Sequence, residues 1–192
     1  MHTESLALMK WVLSSTGIPK VKGSQVADVG SMDVNGTYRN TLKKLGVRSY
    51  TGIDIAEGPN VDVVVDPEAD SWADVGQFDL VISGQCMEHV LRPWEWIKQV
   101  ASLMSDDACV VIVAPHTWRY HEYPIDCWRV FPEGLKALFD DNGLHSLALG
   151  MVMYPTGHGD TFGVASKVEI PRKATGNRDS FNIWQQLRLM DL

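Results

Sequence analysis

Basic charge is scarce in this sequence, cysteines are few, and no apolar run is long; each scarcity removes a class of protein. Lys and Arg total 17 against 24 Asp and Glu, for a formal net charge of -7. Tracking a phosphate backbone needs a basic surface, so no nucleic-acid partner is expected. Cys86, Cys109 and Cys127 are odd in number and form no C-x-x-C pair, which argues against a disulfide framework or a zinc knuckle and for a reducing compartment. No apolar stretch approaches the ~18 residues of a membrane span, so no membrane partner is expected. Met1 to Thr16 carries Glu4 and Lys10 among its apolar residues. It shows no basic leader followed by a small-residue cleavage site, and the expected location is cytoplasmic.

What is present reads as one α/β domain. The chain has 192 residues, 45% hydrophobic and 21% charged, enough to bury a core without staples. We divide it into an N-terminal helix (1–23), a core of sheet and helices (24–169) and a C-terminal tail (170–192). Short apolar runs at Gln25–Val29, Tyr50–Ile55, Val61–Val65, Phe78–Ser83 and Cys109–Ala114 are continuous rather than alternating, the pattern of parallel strands covered on both faces. Between them, helices are expected at Thr37–Leu45 and at Pro93–Ser105, the latter with Trp94, Ile97, Ala101 and Met104 on its buried face. A further helix, Pro132–Asp141, is stopped by Asn142-Gly143. Leu144–Tyr154 and Asp160–Glu169 flank a five-residue turn, too short for a crossover helix, and should pair as an antiparallel hairpin. The expected architecture is a doubly wound, mostly parallel seven-stranded sheet with a terminal antiparallel hairpin. In the tail, Phe181, Trp184, Leu187 and Leu189 or Met190 fall at helical spacing, which suggests packing on the chain's own core or on a second subunit of a homodimer.

Four strand ends carry the chemistry. Asp28-Val29-Gly30-Ser31-Met32-Asp33-Val34-Asn35-Gly36 reads as a strand turning into a helix, whose free backbone N–H groups could hold an anion. A dinucleotide turn G-x-G-x-x-G needs a second glycine where the backbone approaches a pyrophosphate; Met32 stands there, which disfavours a nicotinamide oxidoreductase. Asp54, in Gly52-Ile53-Asp54-Ile55, lies 24 residues after Gly30, a spacing at which a carboxylate can accept from both hydroxyls of a ribose. Asp66 ends the third strand, where it can accept from an exocyclic amine. Ser83-Gly84-Gln85-Cys86-Met87-Glu88-His89-Val90 ends the fourth at the same edge.

These four stretches, in this order, resemble the class I S-adenosylmethionine-dependent methyltransferases, and Asp28 through Gly36 followed by Glu88-His89-Val90 is similar to the small methyltransferase type 11 group. The stretch His121-Glu122-Tyr123-Pro124-Ile125-Asp126-Cys127-Trp128-Arg129-Val130-Phe131-Pro132-Glu133-Gly134 is similar to one in bacterial members often associated with surface-glycan pathways. The resemblance spans roughly residues 25–167. It implies a Rossmann-like methyltransferase fold with S-adenosyl-L-methionine as cofactor and a small-molecule acceptor, such as a sugar hydroxyl. The cofactor-binding residues it implies are Gly30 and Ser31 at the methionine part, Asp54 with Ile55 at the ribose, Asp66 at the adenine amine, and Ser83 with Gln85 near the sulfonium. Asp28, at the end of the first strand, and Gly36, in the loop after it, complete the expected cofactor-binding set. The family's commoner loop has glycines at the positions of Met32 and Val34.

The polar, aromatic stretch after the fifth strand is the expected acceptor site, because long connections in compact domains tend to carry function. His121 is the first candidate for a general base, with Asp126 fixing its ring, and His116 the second. Tyr120, Tyr123, Trp128 and Arg129 are the expected substrate contacts. No metal is expected, since the spacing of His116, His121 and Asp126 matches no ligand pattern. A cofactor-binding or partner-binding module without turnover is the remaining alternative.

Overall fold

The computed structural model describes residues 2–15, 18 and 21–170. The helical spacing from Phe181 to Met190 lies outside the described residues. The chain runs α1 (Thr3–Ser15), β1 (Gln25–Val29), α2 (Arg39–Lys44), β2 (Ser49–Asp54), β3 (Val63–Val64) and β4 (Phe78–Gly84). It continues through α3 (Pro93–Ser102), β5 (Met104–Thr117), α4 (Pro132–Asp141), β6 (His145–Met153) and β7 (Gly159–Ser166). The strands form a seven-stranded sheet in the order β3-β2-β1-β4-β5-β7-β6. Strands β1 to β5 pair in parallel, and β7 runs antiparallel to both β5 and β6. The hairpin is therefore present, with its reversed strand one place in from the edge.

Both sheet faces are covered, which is why the central strands are apolar at successive positions. Val26, Leu80, Ile82, Val111, Val113 and Phe162 point to one side, where α1 contributes Leu8, Met9 and Val12 and α2 contributes Leu42. Ala27, Val29, Val81, Val110 and Ile112 point to the other, against Ile97 and Val100 of α3 and Leu135 and Phe139 of α4. The α4 boundaries are those expected from Pro132 and Asn142-Gly143. Among the described residues, no helix is long and apolar enough to cross a membrane.

Two expectations need correction. Helix α3 ends at Ser102, and Met104 opens β5. Its inward face carries Pro93, Trp96, Ile97 and Val100, while Trp94 is 47% exposed. Two tryptophans two residues apart offer alternative stripes. The one through Trp96, Ile97 and Val100 gives the wider apolar face, leaving Trp94 to meet the edge of Trp128 at 6.1 Å. Strand β5 also starts before the apolar run, because the polar Ser105-Asp106-Asp107 lies where its pairing with β4 shifts register.

A buried acid joins β1 to β2. The Tyr50 hydroxyl donates to Asp28 Oδ2 at 2.5 Å, and Asn60 Nδ2 donates to the Tyr50 oxygen at 2.8 Å. Arg39 lies over the Tyr50 ring at 4.3 Å and donates to Asn60 Oδ1. Burial pushes the Asp28 carboxyl up to about 7, against the opposing Tyr50 hydrogen bond and Arg39 charge.

Because this value lies above that of an unfolded aspartate, the folded chain keeps a proton that the unfolded chain loses between about pH 4 and 7. The Asp28 contribution to stability is therefore full below that window, falls as pH rises through it, and levels off above it. Thermal unfolding should show the wild type losing stability relative to the Asp28→Asn variant as pH is raised from about 5 to 8. A difference in Tm that stays constant with pH would show that Asp28 is ionised throughout.

Candidate active site

The parallel strands open their carboxyl ends on one edge, and register brings the sequence motifs level there. Val29 lies opposite Ile53 of β2 and Ser83 of β4, so Gly30, Asp54 and Gly84 follow at the same height. Gly30 has φ +77°, and a Cβ on it would stand 2.4 Å from Cys86 Sγ. The loop thus needs glycine for both conformation and close packing. Gly84 is constrained similarly: the buried Tyr38 hydroxyl occupies the place of a Cβ, at 2.0 Å.

The loop after β1 is braced rather than open. Gly30 and Ser31 N–H donate to the Ile53 carbonyl at 2.9 and 3.1 Å, Met32 N–H to Asp54 Oδ2 at 3.0 Å, and Gly36 N–H to Asp33 Oδ1 at 2.8 Å. Helix α2 begins only at Arg39. The expectation of free amides at a helix N-terminus is therefore corrected: Gly30, Ser31 and Met32 tie the loop to β2, and Gly36 closes it on Asp33. Asn60 Nδ2 completes the tie by donating to the Ser31 carbonyl at 2.7 Å.

Asp54 holds Met32 with one oxygen and its neighbouring amide, Ile55 N–H, with the other, at 2.8 Å. A carboxylate has about four acceptor sites, so capacity for hydroxyl donors remains. Ile55 beside it is 53% exposed, an apolar surface suited to a flat ring. Val65 N–H donates to the Asp54 carbonyl at 2.9 Å, which brings Asp66 alongside; its exposed carboxylate accepts the Glu68 amide. Two other expected contacts have internal duties. Ser83 is buried, its hydroxyl donating to the Val29 carbonyl, and Gln85, at φ +56°, donates to Asp160 Oδ1 at 3.1 Å. Asp28 is turned into the Tyr50 network described above.

Across this edge lies the connection from β5 to α4, pinned by Arg129. Its guanidinium donates to both Asp126 oxygens at 2.6 and 2.8 Å and to the carbonyls of Trp118, Arg119 and Trp128. These bonds hold Asp126 well below the usual carboxylate range. Arg129 is thus engaged inside the connection and shapes it. Asp126 Oδ2 also accepts from His121 N–H at 2.7 Å and lies 3.3 Å from His121 Nδ1. The connection docks on the turn after β4: Cys127 and Trp128 N–H donate to the Glu88 carbonyl, and Trp128 Nε1 to that of Val90 at 2.8 Å.

His116 and His121, the two expected bases, differ in access. His116 is buried, with Nδ1 at the Thr117 hydroxyl and Nε2 3.2 Å from the Val152 carbonyl. The His121 side chain is 33% exposed. Tyr120 and Tyr123 project into solvent at 70% and 53% exposure, and the Tyr120 hydroxyl donates to Glu122. Phe131, Trp94 and Trp128 continue the aromatic surface.

Two groups escaped the sequence reading. His2, just before α1, stacks on Trp118 at 4.6 Å; Trp118 in turn meets His158 at 3.8 Å. Beneath them, Tyr154 Oη donates to the buried Asp160 at 2.9 Å. Only folding of the hairpin and α1 brings these together. The second group is Glu88, His89 and His121, whose ligand atoms all lie within 4.8 Å of one another. Glu88 is buried with neither oxygen hydrogen-bonded, and burial pushes its carboxyl up to about 8. Burial lowers His89 despite its bond to the Ile125 carbonyl. Adjacent Glu-His with a distant third histidine has no regular spacing to betray it.

Comparison with known proteins agrees with this architecture. A family model described as a methyltransferase domain matches residues 21–149. No curated protein matches the chain. Among solved structures, the chain is similar to Burkholderia thailandensis 1,6-didemethyltoxoflavin-N1-methyltransferase, crystallised with its named acceptor and S-adenosylhomocysteine. That likeness has a TM-score of 0.65 and 17% identity, over 87% of this chain and 78% of that one. It is similar to Synechocystis PCC 6803 magnesium protoporphyrin IX methyltransferase with bound S-adenosylhomocysteine, at TM-score 0.61 and 18% identity, covering 86% and 83% of the two chains. An Aquifex aeolicus S-adenosylmethionine-dependent methyltransferase follows at 0.58 and 16%, covering 88% and 100%. The chain belongs to the methyltransferase domain family, and its fold is that of S-adenosylmethionine-dependent methyltransferases.

Proposed function

We propose that this methyltransferase works in the cytoplasm on a small molecule, transferring the methyl group to a hydroxyl of a sugar derivative. The observation that carries this reading is the juxtaposition of the braced strand-end array, Gly30, Asp54 and Asp66, with a pinned aromatic connection. Both neighbours whose acceptors are named act on small molecules. The stretch His121 to Gly134 supports a glycan acceptor, and three free cysteines suit a reducing compartment.

S-adenosylmethionine supplies an already activated methyl group when bound. The protein's share is positioning and exclusion of water. Asp54 would take the ribose hydroxyls and Asp66 the adenine amine, with Ile55 against the ring. Gly30, kept bare by Cys86, lets the loop backbone come close. Gly36 and Ser31 hold the loop path, and the Ser83 and Gln85 segment borders the methyl end. Tyr120, Tyr123 and Trp128 offer faces on which a sugar ring can lie, and Arg129 keeps them in place through Asp126. His121 is the residue assigned to accept the hydroxyl proton. Its Nδ1 faces Asp126 Oδ2 and the Arg119 carbonyl, both acceptors, so the ring proton belongs on Nδ1 and Nε2 carries the free lone pair.

Calorimetry should show S-adenosylmethionine and S-adenosylhomocysteine binding in preference to NAD, and the Asp54→Ala variant should weaken that binding by at least about tenfold. Asp54→Asn, which keeps an acceptor for Met32 N–H, should fall between. Tighter NAD binding, or unchanged affinity in both variants, would remove the assignment.

His121→Ala should lower turnover about a hundredfold to ten-thousandfold, with cofactor affinity within about twofold. Labelled-methyl transfer to sugar, phenol, carboxylate and amine pools supplies the assay. Wild-type turnover in the variant would mean that proximity alone drives transfer, and equal loss of cofactor binding would reassign the connection to closing the cofactor site.

A further inference from the structure

Beside the methyl-donor edge lies a buried carboxylate that faces an imidazole and has no hydrogen-bond partner on either oxygen. Glu88 has no solvent exposure, neither of its oxygens is hydrogen-bonded, and Oε1 lies 3.7 Å from His89 Nε2. A buried carboxylate without a partner is costly and calls for a cation or a proton. The tautomers sharpen the point. His89 Nδ1 is 2.5 Å from the Ile125 carbonyl, which can only accept, so the proton is on Nδ1 and the Nε2 lone pair faces Glu88. His121 is held in the same sense by Asp126 Oδ2 and the Arg119 carbonyl.

We infer that Glu88, His89 and His121 form a binding site for a divalent transition-metal ion. The three ligand atoms lie within 4.8 Å of one another. An ion at their centre is thus no more than about 2.8 Å from each, and a small inward movement reaches the ~2.0–2.2 Å of zinc bonds to nitrogen and oxygen. Two imidazoles with one carboxylate suit zinc, iron, cobalt or nickel rather than magnesium or calcium, which take oxygen ligands. Each histidine already has the outer partner that orients metal-bound imidazole: a backbone carbonyl for His89 and a carboxylate for His121. The His121 side chain is 33% exposed, so further coordination positions open toward the aromatic surface, where an oxygen of an acceptor could occupy one. Three protein ligands and an open position are the arrangement of reactive rather than purely structural sites.

This inference goes beyond methyl transfer and does not need it. It also makes a different demand on His121, whose Nε2 cannot hold a metal and take a proton together. The test is calorimetric titration of the chelator-treated full chain with zinc, in the absence of S-adenosylmethionine, with cobalt(II) absorption reporting coordination. One ion per chain is expected. His89→Ala, His121→Ala and Glu88→Gln should each weaken binding by at least about tenfold, whereas His145→Ala, at an exposed position on β6, should leave it unchanged. His121→Ala alters a part-exposed side chain and keeps the test intact should Glu88→Gln fail to fold. Absence of stoichiometric uptake, unchanged affinity in the His89 and His121 variants, or equal loss in the His145 control would overturn the site. Failure of S-adenosylmethionine to bind, with zinc uptake intact, would count against the methyl-transfer reading alone.

Discussion

The pairing of Arg129 with Asp126 organises the connection from β5 to α4. The Asp126 side chain is 1% exposed and meets the guanidinium with both oxygens. A carboxylate so enclosed is tolerable only with its partner and its backbone donors, and removing one side of such a pair leaves the other charge uncompensated. Because the same guanidinium gathers three carbonyls of the connection, one side chain converts a stretch without helix or strand into a fixed surface. The docking of Cys127 and Trp128 amides on the Glu88 carbonyl then places that surface against the turn after β4. The position of His121, and with it the approach to Glu88 and His89, follows from this pairing.

The strand-end edge rests on a different device. Its carboxylates stand at strand ends whose heights are set by parallel pairing, so backbone hydrogen bonds fix the spacing of Gly30, Asp54 and Ser83. Asp54 also grips the loop after β1, through Met32 N–H. Gln85 links the strand-end edge to the hairpin: it follows β4 and donates to Asp160. Tyr154 and His2 lie beyond that link, both facing Asp160, and Trp118 stacks on His2.

The strand-end edge was far more legible in the sequence than the connection from β5 to α4. Strand-end motifs are local: Asp28-Val29-Gly30, Gly52-Ile53-Asp54 and Phe78 to Gln85 each carry their apolar strand beside their polar end. Two-sided burial made the strands themselves readable. Reading failed where folding decides between equivalent local choices, as with Trp94 and Trp96 on α3. It failed too over the loop amides, since no residue type announces that Gly30 and Ser31 donate to Ile53. Arg129 was visible as a charged residue, but its five N–H donors are divided among groups whose convergence depends on the path of the connection.

The connection after β5 shows why residue type alone does not separate its two histidines. His116 and His121 are five residues apart in one connection, yet His116 remains on β5 with both nitrogens occupied, whereas His121 has left the sheet. Register with β7 accounts for the difference: Pro115 and Thr117 still pair with Asp160 and Gly159, across a shift in pairing. The His116 ring packs so close to Gly159 that a Cβ there would lie 2.5 Å from it. A histidine inside the ladder is held by the sheet. Beyond its end, orientation must come from side chains, and Asp126 provides it for His121 while the Ile125 carbonyl provides it for His89. The two imidazoles meet edge to face at 4.9 Å because adjacent residues of one pinned connection set both rings. The geometry of that pair is consequently a property of the Arg129–Asp126 pairing, at a distance from either ring in the sequence.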